Sequence, residues 1–374
     1  MKIVYISTST IPSRTANSIH VMKMCQAFAK NGHEVILFAP ENRAGREPGI
    51  EDVFSFYGVE KCFEIQYLPL LPVKGKGLIY GFLAAQKAKL LHPDLVYGRD
   101  LPGCFFASFL NIQVVFESHA PIEGFIYCWI FRKLIRRAVF QKMVVITHAL
   151  KDYYSERYPL LSGNIIVAPD GADPVSEHAE PIEFPNKGKR LQVGYVGHLY
   201  KGKGMEVISD LLIRCDWADF HIVGGIEEDI MYWKKHIGNH KNVIFHGFVP
   251  HPETLKFILA FDIALLPNQK YVSVFGGGSD IGKWTSPMKL FEYMAAGKAI
   301  ICSDIPVLRE VIIDGSNALL CDPNDIESWE RMLIYLYEND DERVRLGRNA
   351  KEKLIFNYSW RSRAQNVLNN FKSP

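Results

Sequence analysis

SPMKLFEYMAAGKAIICSDIPVLREVI, running from Ser286 to Ile312, is the stretch around which the chain is organised. Ser286 and Pro287 read as the cap and first position of a helix, because a serine oxygen accepts an orphan N–H there and proline has no donor to lose. Leu290, Phe291, Met294 and Ala295 recur at helical spacing, Gly297 acts as a stop, and Ala299 to Cys302 reads as a buried strand. Lys289 and Glu292 lie one turn apart near the helix start, where free N–H groups and the helix dipole favour a phosphate. A carboxylate beside an anion is repelled unless it bonds hydroxyls. The pair therefore suits a nucleotide, with N–H groups to the phosphate and Glu292 to a ribose diol. On a lone helix the same two residues would be ordinary solvated charges, so the rest of the chain decides.

A length of 374 residues predicts two or three domains, each with a full core. The net charge of +2, from 43 basic and 41 acidic residues, argues against a nucleic-acid binder, which needs a large basic excess. Seven cysteines without a CxxC pair suggest reduced thiols in a cytoplasmic protein and no zinc site. The start, MKIVYISTSTIPS, turns polar too early for a secretory signal, and no apolar run is long enough to span a bilayer.

From Ile3 to about Phe116, short apolar runs alternate with amphipathic ones: a strand to Ser7, a helix over Ser18 to Lys30, a strand over Val35 to Ala39, and so on. This alternation is the signature of a doubly wound parallel sheet. Ligands in such sheets bind beyond the carboxyl ends of strands, which directs attention to Thr8 to Asn17, Gly98 to Asp100 and Glu117 to Glu123. The first loop lacks GxGxxG, which argues against NAD chemistry. The third holds His119 directly after a strand; a lone histidine there is more often structural than catalytic.

Arg132, Lys133, Arg136, Arg137 and Lys142 meet no acidic residue between Phe125 and Leu150, and the spacing predicts a basic helix over 131–142. A solvated face is the commoner reading of such a run. With Phe125, Tyr127 and Trp129 upstream, the segment also suits an anionic bilayer surface. Pro169 to Lys189 reads as a linker. A second alternating series follows from Leu191, in which GHLYKGKG, Gly197 to Gly204, joins strand to helix with glycines and lysines suited to a pyrophosphate. The glycine-rich loop Tyr271 to Lys283 is expected to be a lid or an unstructured tract.

Taken in order, SIHVMKMCQAFAKNGHEV at Ser18, ESH at Glu117, VVITHALKD near Val144, PDGAD at Pro169, GHLYKGKG at Gly197, IVGG at Ile222, FHGFVP at Phe245 and PMKLFEYMAAGKAIICSD at Pro287 resemble the family 4 retaining glycosyltransferases across nearly the whole chain. The resemblance implies the GT-B fold: two doubly wound α/β, Rossmann-like domains facing across a cleft. The expected bounds are 1–180 for an acceptor domain, 187–355 for a nucleotide-sugar domain, and 356–374 for a last helix crossing back onto the first. It implies that Lys203 holds the donor pyrophosphate, that Glu292 binds the ribose, that His119 is the active-site histidine, and that Phe248 and Val249 face the base. Gly197, Ser286, Met288 and Lys289 complete the expected donor site. Two departures stand out: His198 replaces the usual arginine, and Trp284 replaces the first of two glutamates that normally contacts the donor sugar.

The implied activity is transfer of a sugar, with retention, from a nucleoside-diphosphate sugar to a glycan, lipid-linked or small-molecule acceptor, with no metal and no other cofactor. Polysaccharide biosynthesis, a cytoplasmic location and peripheral contact with the inner face of the membrane through 131–142 are the accompanying expectations; no nucleic-acid partner is expected. A nucleotide-sugar epimerase and a non-catalytic GT-B binding protein are the alternatives.

Overall fold

The computed structural model describes residues 1–42, 45–185, 187–271, 282–369 and 371. Residues 272–281, most of the expected lid loop, lie outside the described residues. The chain forms two compact units, 1–169 with 360–374, and 170–359.

The first unit runs β1 (Lys2–Ile6), α1 (Ala16–Lys30), β2 (Glu34–Glu41), α2 (Val53–Tyr57), β3 (Glu64–Pro69), α3 (Lys76–Leu90), β4 (Leu95–Gly98), α4 (Leu101–Phe109), β5 (Val114–Ser118), α5 (Phe125–Leu134), β6 (Phe140–Val145), α6 (His148–Arg157) and β7 (Ile165–Val167). The strands pair in the order β3-β2-β1-β4-β5-β6-β7, every pair parallel. Central strand β1 is shut away from solvent at Ile3, Val4, Tyr5 and Ile6, as a parallel sheet covered on both faces requires. Strand order reverses between β1 and β4, so the loops after those two strands part and leave a crevice.

The second unit runs β8 (Leu191–Val196), α7 (Met205–Arg214), β9 (Ala218–Val223), α8 (Glu227–Ile237), β10 (Val243–Gly247), α9 (His251–Ala260), β11 (Ile263–Leu266), α10 (Met288–Ala295), β12 (Ala299–Ser303), α11 (Pro306–Arg309), β13 (Leu319–Cys321), α12 (Ile326–Glu338) and α13 (Asp340–Asn357). Its parallel sheet has the order β10-β9-β8-β11-β12-β13, reversing between β8 and β11. Ile208 and Leu211 of α7 and Trp329, Leu333 and Leu336 of α12 share one buried cluster with Val193, Phe220 and Ile301 of the sheet. Burying each large apolar side chain contributes about 1.5–3 kcal/mol. The last helix, α14 (Trp360–Leu368), belongs to the first unit, where it packs on α1.

The unit boundaries differ from those expected at 180, 187 and 356. Part of the supposed linker is packed: Ile182 N–H donates to Lys256 O at 3.1 Å, and Phe184 stacks on His221 at 3.6 Å. The segment thereby joins the second unit. At the other end α13 continues to Asn357, so the chain rejoins the first unit only at Trp360.

The basic helix expected over 131–142 is also corrected. Helix α5 ends at Leu134, and Phe140 already pairs with Val114 of β5. Lys142 therefore lies on β6, 8% exposed, with its Nζ donating to Asn369 O. Strand pairing claims residues whose apolar spacing by itself also fits a helix.

Candidate functional site

The second unit gathers its glycines and basic side chains at the β8/β11 switch point, where Gly197 to Gly204 leaves β8. Gly197 has φ +140°, and a Cβ there would sit 2.7 Å from Lys289 Nζ. At Gly204, φ is +89° and a Cβ would lie 2.0 Å from Pro267 O, so only glycine lets the loop approach the end of β11. Tyr195 and Tyr293 brace the turn from beneath: the Tyr195 hydroxyl donates to His198 O at 2.6 Å, and the Tyr293 hydroxyl accepts from Val196 N–H at 2.8 Å.

Three basic side chains converge on this turn. Lys289 is partly exposed as a residue, but its Nζ is buried and has no hydrogen-bond partner. The ammonium rests over the Tyr195 ring at 3.9 Å, a cation–π contact that replaces only part of its lost hydration. Burial and then the charge of Lys203 pull Lys289 well below the ordinary lysine range, with Glu292 opposing. Burial pulls Lys203 down to about 8. Burial, followed by Lys203 and Lys289, pulls His198 down to about 4. Such a cluster is disfavoured when empty and relieved by an anion. Burial and the two lysines thus hold His198 neutral at pH 7.

Helix α10 starts at this cluster, though not as expected. Pro287, not Ser286, is its N-cap, and no side chain caps it. The Ser286 hydroxyl instead accepts the Asp170 N–H at 2.9 Å. Free N–H groups in the first turn, at Met288 and Lys289, therefore retain their capacity for an anion. Glu292 is held at 2.7 Å by Nε2 of His251, the first residue of α9. Phe248, 40% exposed, and Val249 follow β10 in the loop before α9. Trp284 occupies the segment leading into α10 and is partly buried.

His119 belongs to the first unit, in the loop after β5. Its Nε2 lies 2.5 Å from Oε1 of Glu117. Glu117 is a hub: Arg363 Nη2 donates to Oε1 at 2.8 Å, His20 Nε2 lies 3.0 Å from it, and the Tyr97 hydroxyl donates to Oε2. Burial pushes the Glu117 carboxyl up, but Arg363, His20 and the hydrogen bonds outweigh it and hold the group well below the usual carboxylate range. Burial and then Arg99 pull His119 down to about 3, despite Glu117. His119 is thus neutral at pH 7; Nε2–H donates to Glu117, and Nδ1 remains the basic nitrogen.

The structure thus brings Gly197, His198, Lys203, Lys289 and Glu292 together in the second unit and sets His119 on a buried carboxylate in the first. Sequence reading missed Glu117 as an orienting group, Arg363 as its counter-ion and His251 as the partner of Glu292. A signal existed for Glu117, a charged residue inside a strand. Nothing local marks Arg363, which is separated from Glu117 by 246 positions.

Two family models match the chain: Glycosyltransferase Family 4 over residues 18–175 and Glycosyl transferases group 1 over residues 177–353. An uncharacterized glycosyltransferase of Methanocaldococcus jannaschii is 28% identical over 301 residues, 76% of this chain and 68% of that protein. Glycogen synthase of Mycobacterium tuberculosis is 21% identical over 384 residues, 92% of this chain and 87% of that protein. Among solved structures, HepE of Anabaena in complex with UDP and glucose superposes with a TM-score of 0.73 at 14% identity, covering 100% of both chains.

Proposed function

This chain belongs to the family 4 glycosyltransferases of GT-B fold, and on that premise we propose that it moves a sugar, with retention and without a metal, from a nucleoside-diphosphate sugar to a glycan, lipid-linked or small-molecule acceptor. The observation that carries the proposal is the Lys203–Lys289 pair. Lys289 has a buried ammonium with no hydrogen-bond partner, and Lys203 has its pKa lowered by burial. A diphosphate supplies the negative charge that both lack. The UDP and UDP-glucose complexes of the Anabaena neighbour support the same donor class.

As the anomeric carbon–oxygen bond breaks, charge builds on the leaving diphosphate. Lys203, Lys289 and the α10 N–H groups stabilise it by preorganised electrostatics, the service a divalent ion performs elsewhere. Loss of one such donor costs about 3 kcal/mol, a hundredfold or more in rate. In the second unit Glu292, the carboxylate beside the lysine pair, is held by Nε2 of His251 at 2.7 Å. That favours front-face attack over a carboxylate nucleophile. The acceptor oxygen bonds the anomeric carbon on the side the diphosphate leaves, and the acceptor proton passes to a phosphate oxygen.

The first unit also carries a face suited to an anionic bilayer. Phe125 is 86% exposed, Ile126 56% and Trp129 48% on α5, with Arg132, Lys133 and Arg136 exposed beside them. Among the described residues no helix is long and apolar enough to cross a membrane, so the proposed contact is peripheral. Incubating the chain with UDP-, GDP- and ADP-sugars in EDTA, and following nucleotide release and product configuration by NMR, tests the activity. An inverted product or a strict need for metal contradicts the mechanism; nucleotide binding without turnover of any donor or acceptor points to a binding protein.

A further inference from the structure

A pocket of about 380 Å3 is lined by residues of the first unit, where the loops after β1 and β4 part. Thr8, Arg99, His119 and Tyr127 are among its lining residues. Arg99 is the first residue after β4, and its Nη1 is buried without a hydrogen-bond partner. No ion pair holds its guanidinium among the described residues. The acidic groups lining the pocket do not serve it: Glu117 is bonded by Arg363, Tyr97 and His119, Asp100 caps α4, and Glu123 is exposed.

A partly desolvated guanidinium without a counter-ion is costly, and its planar fork matches two oxygens of one anion. The surroundings favour the same sign of ligand. Helices α3 and α5 begin at this pocket, contributing Gly77 and Tyr127, and neither has an acidic residue in its first turn, whereas α4 is capped by Asp100. The positive ends of α3 and α5 add to the guanidinium charge.

We propose that this pocket takes the acceptor and that the acceptor bears a phosphate or diphosphate group seated on Arg99 beside His119. The inference rests on the glycosyltransferase reading and narrows its acceptor to a phosphorylated one. Arg99 binds the acceptor's anionic group and takes no part in bond making. The phosphate belongs either to a lipid carrier or to a soluble sugar or polyol phosphate, and both offer the same oxygens to the guanidinium.

The test is calorimetric titration of the full chain while UDP, GDP or ADP, whichever binds, saturates the second unit. The probes are n-octyl phosphate and glycerol 3-phosphate, with octyl glucoside and glycerol as neutral counterparts. At least one phosphate probe is expected to bind about tenfold or more tighter than its counterpart, the scale of a charged hydrogen bond. Arg99→Gln removes that preference and leaves nucleotide affinity unchanged. Arg99→Lys, which keeps the charge without the fork, retains part of it and guards against a folding artefact, as do matching circular dichroism melts. Preference for octyl phosphate assigns a lipid carrier, and preference for glycerol 3-phosphate a soluble acceptor. Equal binding of charged and neutral probes, or an Arg99→Gln chain that binds like wild type, overturns the proposal. If no nucleotide binds, the donor reading has failed; the same titration on a Lys203→Met/Lys289→Met chain then still judges Arg99 alone.

Discussion

Arg363 Nη2 donates to Glu117 Oε1 at 2.8 Å, with both side chains closed off from solvent, at 3% and 1% exposure. The pair ties α14 to β5 inside the first unit. Further bonds from the same guanidinium to Ala168 O at 2.9 Å and Pro169 O at 2.8 Å fix where the chain leaves that unit.

Removing one partner of a buried pair leaves a charge unsatisfied, so Arg363→Ala should cost about 3–5 kcal/mol in urea unfolding. Glu117 is depressed in the folded chain, so its contribution is present above the unfolded carboxylate pKa and is lost as pH falls toward its folded value. The stability gap between wild type and Glu117→Gln should narrow on acidification. A gap that is constant with pH would mean that Glu117 is not charged in the fold.

Glu117 also orients His119. Glu117→Gln should lower kcat about 10- to 100-fold, by analogy with other hydrogen-bonded orienting groups, while nucleotide affinity stays near wild type. Equal loss in both quantities would indicate general damage.

Lys289 makes a prediction with opposite signs. Lys289→Met keeps volume and removes an ammonium with no hydrogen-bond partner, so the empty chain should gain about 1 kcal/mol, the cation–π contact with Tyr195 offsetting the rest. Nucleotide affinity should fall about 10- to 100-fold. A lysine serving only packing would lose stability and leave affinity alone.

The pH dependence of donor binding follows from the same cluster. A diphosphate raises Lys203 above its free value of about 8, so the Lys203 contribution to affinity is full below that pH and is lost as pH rises from there through the bound value. His198 contributes a second limb that begins near its free value of about 4 and ends at its bound value. His198→Arg, permanently charged, should flatten the lower limb and leave the upper one. A sugar nucleotide is the right ligand, because its diphosphate carries no terminal group titrating in this range.

The α5 face predicts that the chain floats with vesicles rich in anionic lipid and not with neutral ones. Replacing Phe125 and Trp129 with serine, at exposed positions, should abolish flotation without altering the melting temperature. Equal flotation on both vesicle types would contradict the contact.

Much of this was legible from short-range pattern. Parallel strands buried on both faces announce themselves as apolar runs such as Ile3 to Ser7 and Leu191 to Val196, and the turn at Gly197 shows its chemistry in consecutive residues. The failures share one cause, competition from tertiary partners. Ser286 reads as a cap until Asp170 takes its hydroxyl, and Phe140 to Lys142 read as helix until β5 offers them a ladder. The counter-ion of Glu117 arrives from a helix at the far end of the chain, which no local period can reveal.

The most direct test of the central claim is calorimetry of a sugar nucleotide and its free diphosphate in EDTA, with wild type and Lys203→Met/Lys289→Met. Binding without divalent ions in the wild type, and a loss of about a hundredfold or more in the double variant, is the predicted result. Binding that requires a divalent ion, or a double variant that binds as tightly as wild type, would contradict it.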